Sequence, residues 1–236
     1  MKTVLYAATL LLLLLTPSCT TDVYDKGEGE LSLMRAELVE AHANSDKLID
    51  WCVTDEGERL LLIQPLKMNG VQTADTIYRA LLYYNKVEQG ADVVSASIIT
   101  TLAPHRIKDM KTDPVRFESL WLSTSRRYLN MGLYLKTGDN GNDKLHHVVG
   151  INLDTLIQYP DGKRTAHLRF YHDQGGLPEY YSQRTYISIP TDSIDADTVR
   201  CYVNAYNGVI EKQFVLTTVT SPAAPTASPA CRASSR

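Results

Sequence analysis

Residues 165–190 read TAHLRFYHDQGGLPEYYSQRTYISIP, and their alternation decides the fold class. Ala166, Leu168 and Phe170 alternate with His167, Arg169 and Tyr171. Further on, Thr185, Ile187 and Ile189 alternate with Arg184, Tyr186 and Ser188. A period of two with apolar residues on one side is a strand that lies on a core and leaves its other face open. The stretch between the runs, DQGGLPEYY, contains Gly175, Gly176 and Pro178, so the two strands are expected to pair as one long antiparallel hairpin.

Around this stretch the same period recurs. Strands are expected at 118–124, 127–137, 144–155, 165–172, 182–189, 199–206 and 210–216. They are separated by turn signals at 138–143 (GDNGND), 159–163 (YPDGK) and Asn207-Gly208. Seven short alternating strands in about a hundred residues are the pattern of an immunoglobulin-like β-sandwich, placed at 118–217. Residues 218–236 are rich in Ser, Pro and Ala without periodicity and read as a disordered tail.

Upstream, 48–54, 58–64, 76–85 and 92–102 are short, rich in β-branched and aromatic residues, and bounded by turns. Thr54-Asp55-Glu56-Gly57 reads as a tight hairpin. Residues 31–43 fit both periods: Met34, Ala36 and Leu38 alternate as in a strand, while Leu31, Met34, Leu38 and Ala41 share a helical face. Counted as a strand, the segment completes five, which fits a small, partly open barrel of OB type at 31–108. Residues 103–117, with two prolines and little apolar content, read as the connection between the two domains. The fold class is therefore all-β, a five-stranded OB-like barrel followed by a seven-stranded immunoglobulin-like sandwich.

The first 18 residues are a targeting segment. Lys2 precedes an apolar run, Val4 to Leu15, too short to span a bilayer, where roughly 20 residues are needed. Thr16-Pro17-Ser18 then places small residues before Cys19, resembling the lipobox at which bacterial signal peptidase cuts and diacylglycerol is attached to the cysteine. Cys19 is the expected lipid attachment site, 19–30 the tether, and the cell envelope, at the outer membrane, the expected location. Cys52, Cys201 and Cys231 remain. An odd number at unrelated spacings is no disulfide framework, and Cys52 and Cys201, on strands of different domains, are expected to be unbonded.

A formal charge of −3 leaves no basic stripe, so nucleic acid is not an expected partner. The chain lacks GxSxG, HExxH, a P-loop and a GxGxxG after a strand, and no catalytic residue or cofactor is implied. His146 and His147 are adjacent, and His167 and His172 are five apart; in strands both spacings put the rings on opposite faces, against a shared metal. His147, on the side of Val149, Ile151 and Leu153, is expected to be a hydrogen-bonded, partly buried ring.

Three stretches, DTIYRALLYYN at 75–85, SRRYLNMGLYLKT at 125–137 and LRFYHDQGGLPEYYSQRTYISIP at 168–190, resemble the NigD-like lipoproteins of anaerobic gut and oral bacteria. The resemblance implies export, a lipid anchor, an N-terminal OB-like barrel and a C-terminal sandwich. The family takes its name from association with a bacteriocin operon, and the resemblance brings no catalytic residues.

Two readings of function stay open: a non-catalytic envelope module that binds a glycan or protein, or a structural or bacteriocin-associated component with no small ligand. Alternation puts Arg169, Tyr171, Arg184, Tyr186, Tyr202, Asn204 and Tyr206 on outward faces, and the first two Tyr–Arg pairs are expected to form one patch across the hairpin. Asp-Ser/Thr-apolar triplets at Thr76, Thr155, Ser193 and Thr198 resemble acceptors for periplasmic O-glycosylation.

Overall fold

The segment with two periods resolves into a strand. In the computed structural model, which describes residues 33–139 and 145–216, β1 (Arg35–Ala43) pairs with a neighbour on each side. Val39, Ala41 and Ala43 point into the barrel, and Leu38 and Glu40, on the opposite face, are also buried. Burial on both faces removes the clean alternation of a half-exposed strand, and pairing on both edges overrides the helical propensity of Leu, Ala and Glu.

Four more strands complete the barrel: β2 (Leu48–Thr54), β3 (Arg59–Lys67), β4 (Thr76–Val87) and β5 (Gly90–Ile98). Their order, β1-β2-β3-β5-β4, is closed rather than partly open, through the antiparallel β1–β4 pair and a short parallel β3–β5 contact, Leu62 with Ala91. The expected Thr54–Gly57 turn joins β2 to β3, with Gly57 at φ 89° and its N–H on the Thr54 carbonyl. Ile49, Cys52, Leu60, Leu82 and Tyr84 fill the interior.

The sandwich has two four-stranded sheets. One holds β9 (Val148–Gln158), β10 (Arg164–Asp173), β12 (Thr198–Ala205) and β13 (Gly208–Val215), in the order β13-β12-β10-β9. The other holds β6 (Thr100–Thr101), β7 (Arg116–Leu122), β8 (Tyr128–Thr137) and β11 (Tyr181–Pro190), in the order β6-β11-β8-β7. The seven expected strands are present, and two-residue β6 adds an eighth. Leu129, Met131, Leu133, Ile151, Leu168 and Ile187 meet between the sheets; full burial of such a side chain stabilises by about 1.5–3 kcal/mol.

The expected hairpin at 165–190 does not form. β10 pairs with β9 and β12, β11 with β8 and β6, and the two strands lie in opposite sheets. The inward faces are those the alternation implies: Ala166, Leu168, Phe170, Ile187 and Ile189 are all buried in one core. Alternation records which side faces the core; it does not record whether consecutive strands lie side by side or across from each other. The connection arches over the end of the sandwich, with Gly175 at φ 64° passing so close to the His146 carbonyl that a Cβ would overlap it.

Residues 102–115 run as a strap along the sandwich. Leu102 bonds to Ser188, His105 exchanges backbone hydrogen bonds with Ile151 and Leu153 of β9, and Lys111 and Asp113 bond to His172 of β10. Val115 bonds to Asn204 and Tyr206, and the Asn204 side chain donates to the Thr112 carbonyl at 2.6 Å. The strap fills the gap where the parallel strands β10 and β12 part beyond Arg169 and Tyr202.

Candidate functional site

The barrel rests on the outer face of the β6-β11-β8-β7 sheet. Arg79 of β4, between the inward Tyr78–Ala80 neighbours in sequence, points out of the barrel and into that sheet. Its Nε donates to Ser188 Oγ at 3.1 Å, and its Nη2 donates to Asp55 at 2.7 Å and to Asn130 Oδ1 at 3.1 Å. Asn130 Nδ2 donates to Asp55 at 2.8 Å and Ser188 Oγ donates to Asn130 Oδ1 at 2.7 Å, closing the ring of bonds. The guanidinium also lies 4.1 Å over the Tyr128 ring. Beside it Glu40 of β1 accepts from Tyr128 Oη at 2.7 Å and from Arg127. Burial, then the bond to Glu40, pushes the Tyr128 phenol up to about 12. Buried polar groups with this many mutual bonds fix one relative geometry of the parts they join.

Next to this weld a cleft of about 460 Å³ opens between barrel and sandwich. β1 contributes Glu37 and Leu38, β4 Leu81 and Tyr83, and the β2–β3 turn Asp55 and Glu56. The sandwich side is Trp121 of β7 with Arg184 and Tyr186 of β11. A second lobe of about 370 Å³ shares Leu81, Tyr83, Arg184 and Tyr186 and continues towards Ile98 and Gln183. Trp121 meets Tyr186 edge-on at 6.4 Å, and burial raises the Tyr186 phenol. Arg184 lies 4.9 Å over the Tyr186 ring and holds Glu118 with two bonds, 2.8 and 2.5 Å. Gly132 of β8 leaves room for Tyr186 and the Arg184–Glu118 pair to lie flat on the sheet: a Cβ there would press on Ser119 Oγ, the Glu118 carboxylate and the Tyr186 ring.

The outward residues expected in one patch are divided between the two sheets. Arg184 and Tyr186 line the cleft. Arg169, Tyr171 and Tyr202 lie on the outer face of the other sheet, where Arg169 bonds Asp154 at 2.9 Å and sits 5.2 Å over the Tyr202 ring. His167 Nδ1 lies 3.0 Å from Tyr202 Oη. Asn204 is spent on the strap, and Tyr206 stands at the sandwich end beneath Lys136 Nζ. The single Tyr–Arg patch fails for the same reason as the hairpin. Nothing in the sequence around Tyr83 marks it for the cleft, and Trp121 is marked only by being a tryptophan near a strand end, in SLWLS.

His147 is the hydrogen-bonded, half-buried ring its face implies, but its partner is His172, Nδ1 to Nε2 at 3.0 Å, with the rings stacked at 5.2 Å. His172 is fully buried and its Nδ1 lies 2.9 Å from the Asp113 carbonyl, which assigns the proton to that nitrogen. Burial first, then His172, holds the His147 pKa below its ordinary value, opposed by the Lys136 backbone. Among the described residues no three His, Cys, Asp or Glu side chains converge as metal ligands.

Cys52 and Cys201 are free thiols in separate cores, each pushed up to about 12 by burial. Cys19 and Cys231 lie outside the described residues. Of the acceptor triplets, Thr155 and Ser193 are exposed, whereas Thr76 and Thr198 are half-buried.

Residues 97–212 match the NigD-like C-terminal β-sandwich domain. The C-terminal half of the chain is a NigD-like domain. A NigD-like immunity protein of Bacteroides caccae is 28% identical to this NigD-like chain, with a TM-score of 0.59 over 77% of this chain and 96% of that one. Two more distant structures share the fold. A candidate toxin-related protein of Parabacteroides distasonis is 16% identical, with a TM-score of 0.55 over 77% of this chain and 92% of its own. A candidate lipoprotein of Bacteroides fragilis is 10% identical, with a TM-score of 0.55 over 79% and 99%. No curated protein matches the NigD-like chain. Among the described residues no helix is long and apolar enough to cross a membrane.

Proposed function

We propose that this NigD-like protein is an exported, lipid-anchored, non-catalytic binding protein of the cell envelope, and that it binds a protein or glycan in the cleft between barrel and sandwich. The observation that carries the reading is the cleft itself. Its walls come from two domains held in register by the Arg79–Asp55–Asn130–Ser188 bonds, so it is formed before any ligand arrives. Preorganised walls spare a ligand the cost of ordering them. Trp121, Tyr186 and Tyr83 offer rigid rings, and Arg184 with Glu118 a fixed polar pair, which is the composition of interface hot spots. The immunity-protein description of the Bacteroides caccae relative favours a role in engaging another molecule. The leader and Cys19 support export and anchoring.

The test uses full-length protein in detergent, on a glycan array and in crosslinked pull-downs from cells, beside Trp121→Ala and Tyr186→Ala. Binding should be lost in both variants at unchanged melting temperature. A partner retained equally by both would remove the cleft from the function.

A further inference from the structure

β11 has an open edge inside the second lobe. On one side it pairs with β8 along its whole length, from Tyr181 to Pro190. On the other side β6 reaches only Ile187 and Ser188. Four consecutive residues of β11, Gln183, Arg184, Thr185 and Tyr186, line the lobe. A cavity lying on the face of a strand touches alternate residues; one that touches consecutive residues lies along the edge. In a strand paired on one side, every second residue turns its N–H and C=O outward, so this stretch presents a row of backbone donors and acceptors to the cavity. Across the lobe stand Ser97, Ile98 and Thr100, where the chain leaves the barrel to become β6.

We infer that the second lobe is a strand-addition site, in which an extended segment of a partner protein lies against Gln183–Tyr186 and continues the two-residue β6. The inference rests on the cleft being the binding site and names the class of its occupant. Backbone hydrogen bonds to the open edge give such a complex its affinity, and alternate side chains give it specificity. The incoming side chains that turn towards the barrel meet Leu81, Tyr83, Ile98 and Tyr186, so that side of the segment is apolar or aromatic at every second residue. The lobe holds about four extended residues, roughly 13 Å of chain. A strongly charged segment is not selected, because Arg184 is already bound twice by Glu118. A glycan could use the rings of the first lobe, but it has no repeating donor and acceptor spacing to match a strand edge.

The test pans a phage-displayed library of random twelve-residue peptides against the full-length protein in detergent, with a glycan array in parallel. Enriched peptides should alternate apolar residues and slow amide exchange at Gln183–Tyr186. N-methylation at alternate peptide positions should abolish binding, and at the intervening positions should spare it. Ser97→Trp, which fills the lobe from an exposed position, should weaken these peptides more than tenfold at an unchanged melting temperature. Peptides that bind without protecting Gln183–Tyr186, or that tolerate N-methylation at both sets of positions, would overturn the inference. Glycans that bind in place of peptides and are lost in Trp121→Ala would overturn it too, while leaving the cleft as the binding site.

Discussion

Arg79 of the barrel and Ser188 of the sandwich are 109 residues apart in sequence and 3.1 Å apart in space, Nε to Oγ. The bond belongs to a closed set in which Asp55 and Asn130 each depend on the same guanidinium. Replacing Arg79 by Met leaves the Asp55 carboxylate without its counter-charge between two packed domains, with only the Asn130 amide donating to it. The expected cost is about 3–5 kcal/mol in urea unfolding, because an uncompensated charge stays in a desolvated place. The single transition should also divide in two as barrel and sandwich unfold separately. One transition displaced by less than about 1 kcal/mol would show that apolar contact, not this network, joins the domains.

Barrel closure turns on Gly90. It sits at φ 142°, and an added Cβ would overlap the Leu61 carbonyl beside the Leu62–Ala91 contact. Gly90→Ala should cost about 2–3 kcal/mol, since neither the backbone angle nor the neighbouring strand can yield cheaply. Gly57→Ala is the control. Gly57 also has positive φ but nothing near the new methyl, so its loss should be about 1 kcal/mol. Equal losses would mean that backbone strain alone, not the approach of β3, sets the requirement.

The His147–His172 pair makes stability depend on pH. The folded pKa of His147 is lowered, so the unfolded chain takes up a proton first as pH falls through the ordinary value of 6.5. Stability should therefore be full above that value and decline below it until the folded pKa is passed. His147→Gln keeps a donor towards His172 Nε2 and removes the titration. Its urea midpoint should vary less than that of wild type between about pH 7 and 5. Parallel curves would assign the pH dependence elsewhere.

Cys19 should carry lipid. Metabolic labelling with an alkyne fatty acid should tag the wild type, and Cys19→Ala should be unlabelled and lost from the membrane fraction. Equal labelling of the two would dispose of the anchor.

Much of the fold could be read locally. Leu48–Thr54 is a strand with the expected bounds, and the side chains from Ala166 to Phe170 and at Ile187 and Ile189 face the core as alternation requires. These features are properties of a few neighbouring residues. What escaped depends on residues far apart. Arg79, in TIYRALLYY, reads as a solvent-facing arginine and becomes buried only because a second domain covers it. Gly132 looks like a weak point in β8 until Tyr186 and Glu118 are placed above it. Arg169 and Arg184 look like cross-strand neighbours because the arch between β10 and β11 has the composition of a turn. Tyr83 and Trp121 share a cleft although nothing in either strand refers to the other.

The strap has a consequence for how the chain is made. Its residues emerge early, yet Thr112 meets Asn204 across 92 positions of sequence, and His105 must wait for β9. Synthesis from the N-terminus lets the barrel close once β5 is complete, from contacts that are mostly between neighbouring strands. The middle of the chain then has no partners until most of the C-terminal half has followed. The molecule is assembled barrel first and locked last at its centre, so a break in translation between the end of β5 and Asn204 leaves a finished barrel carrying an unsecured strap.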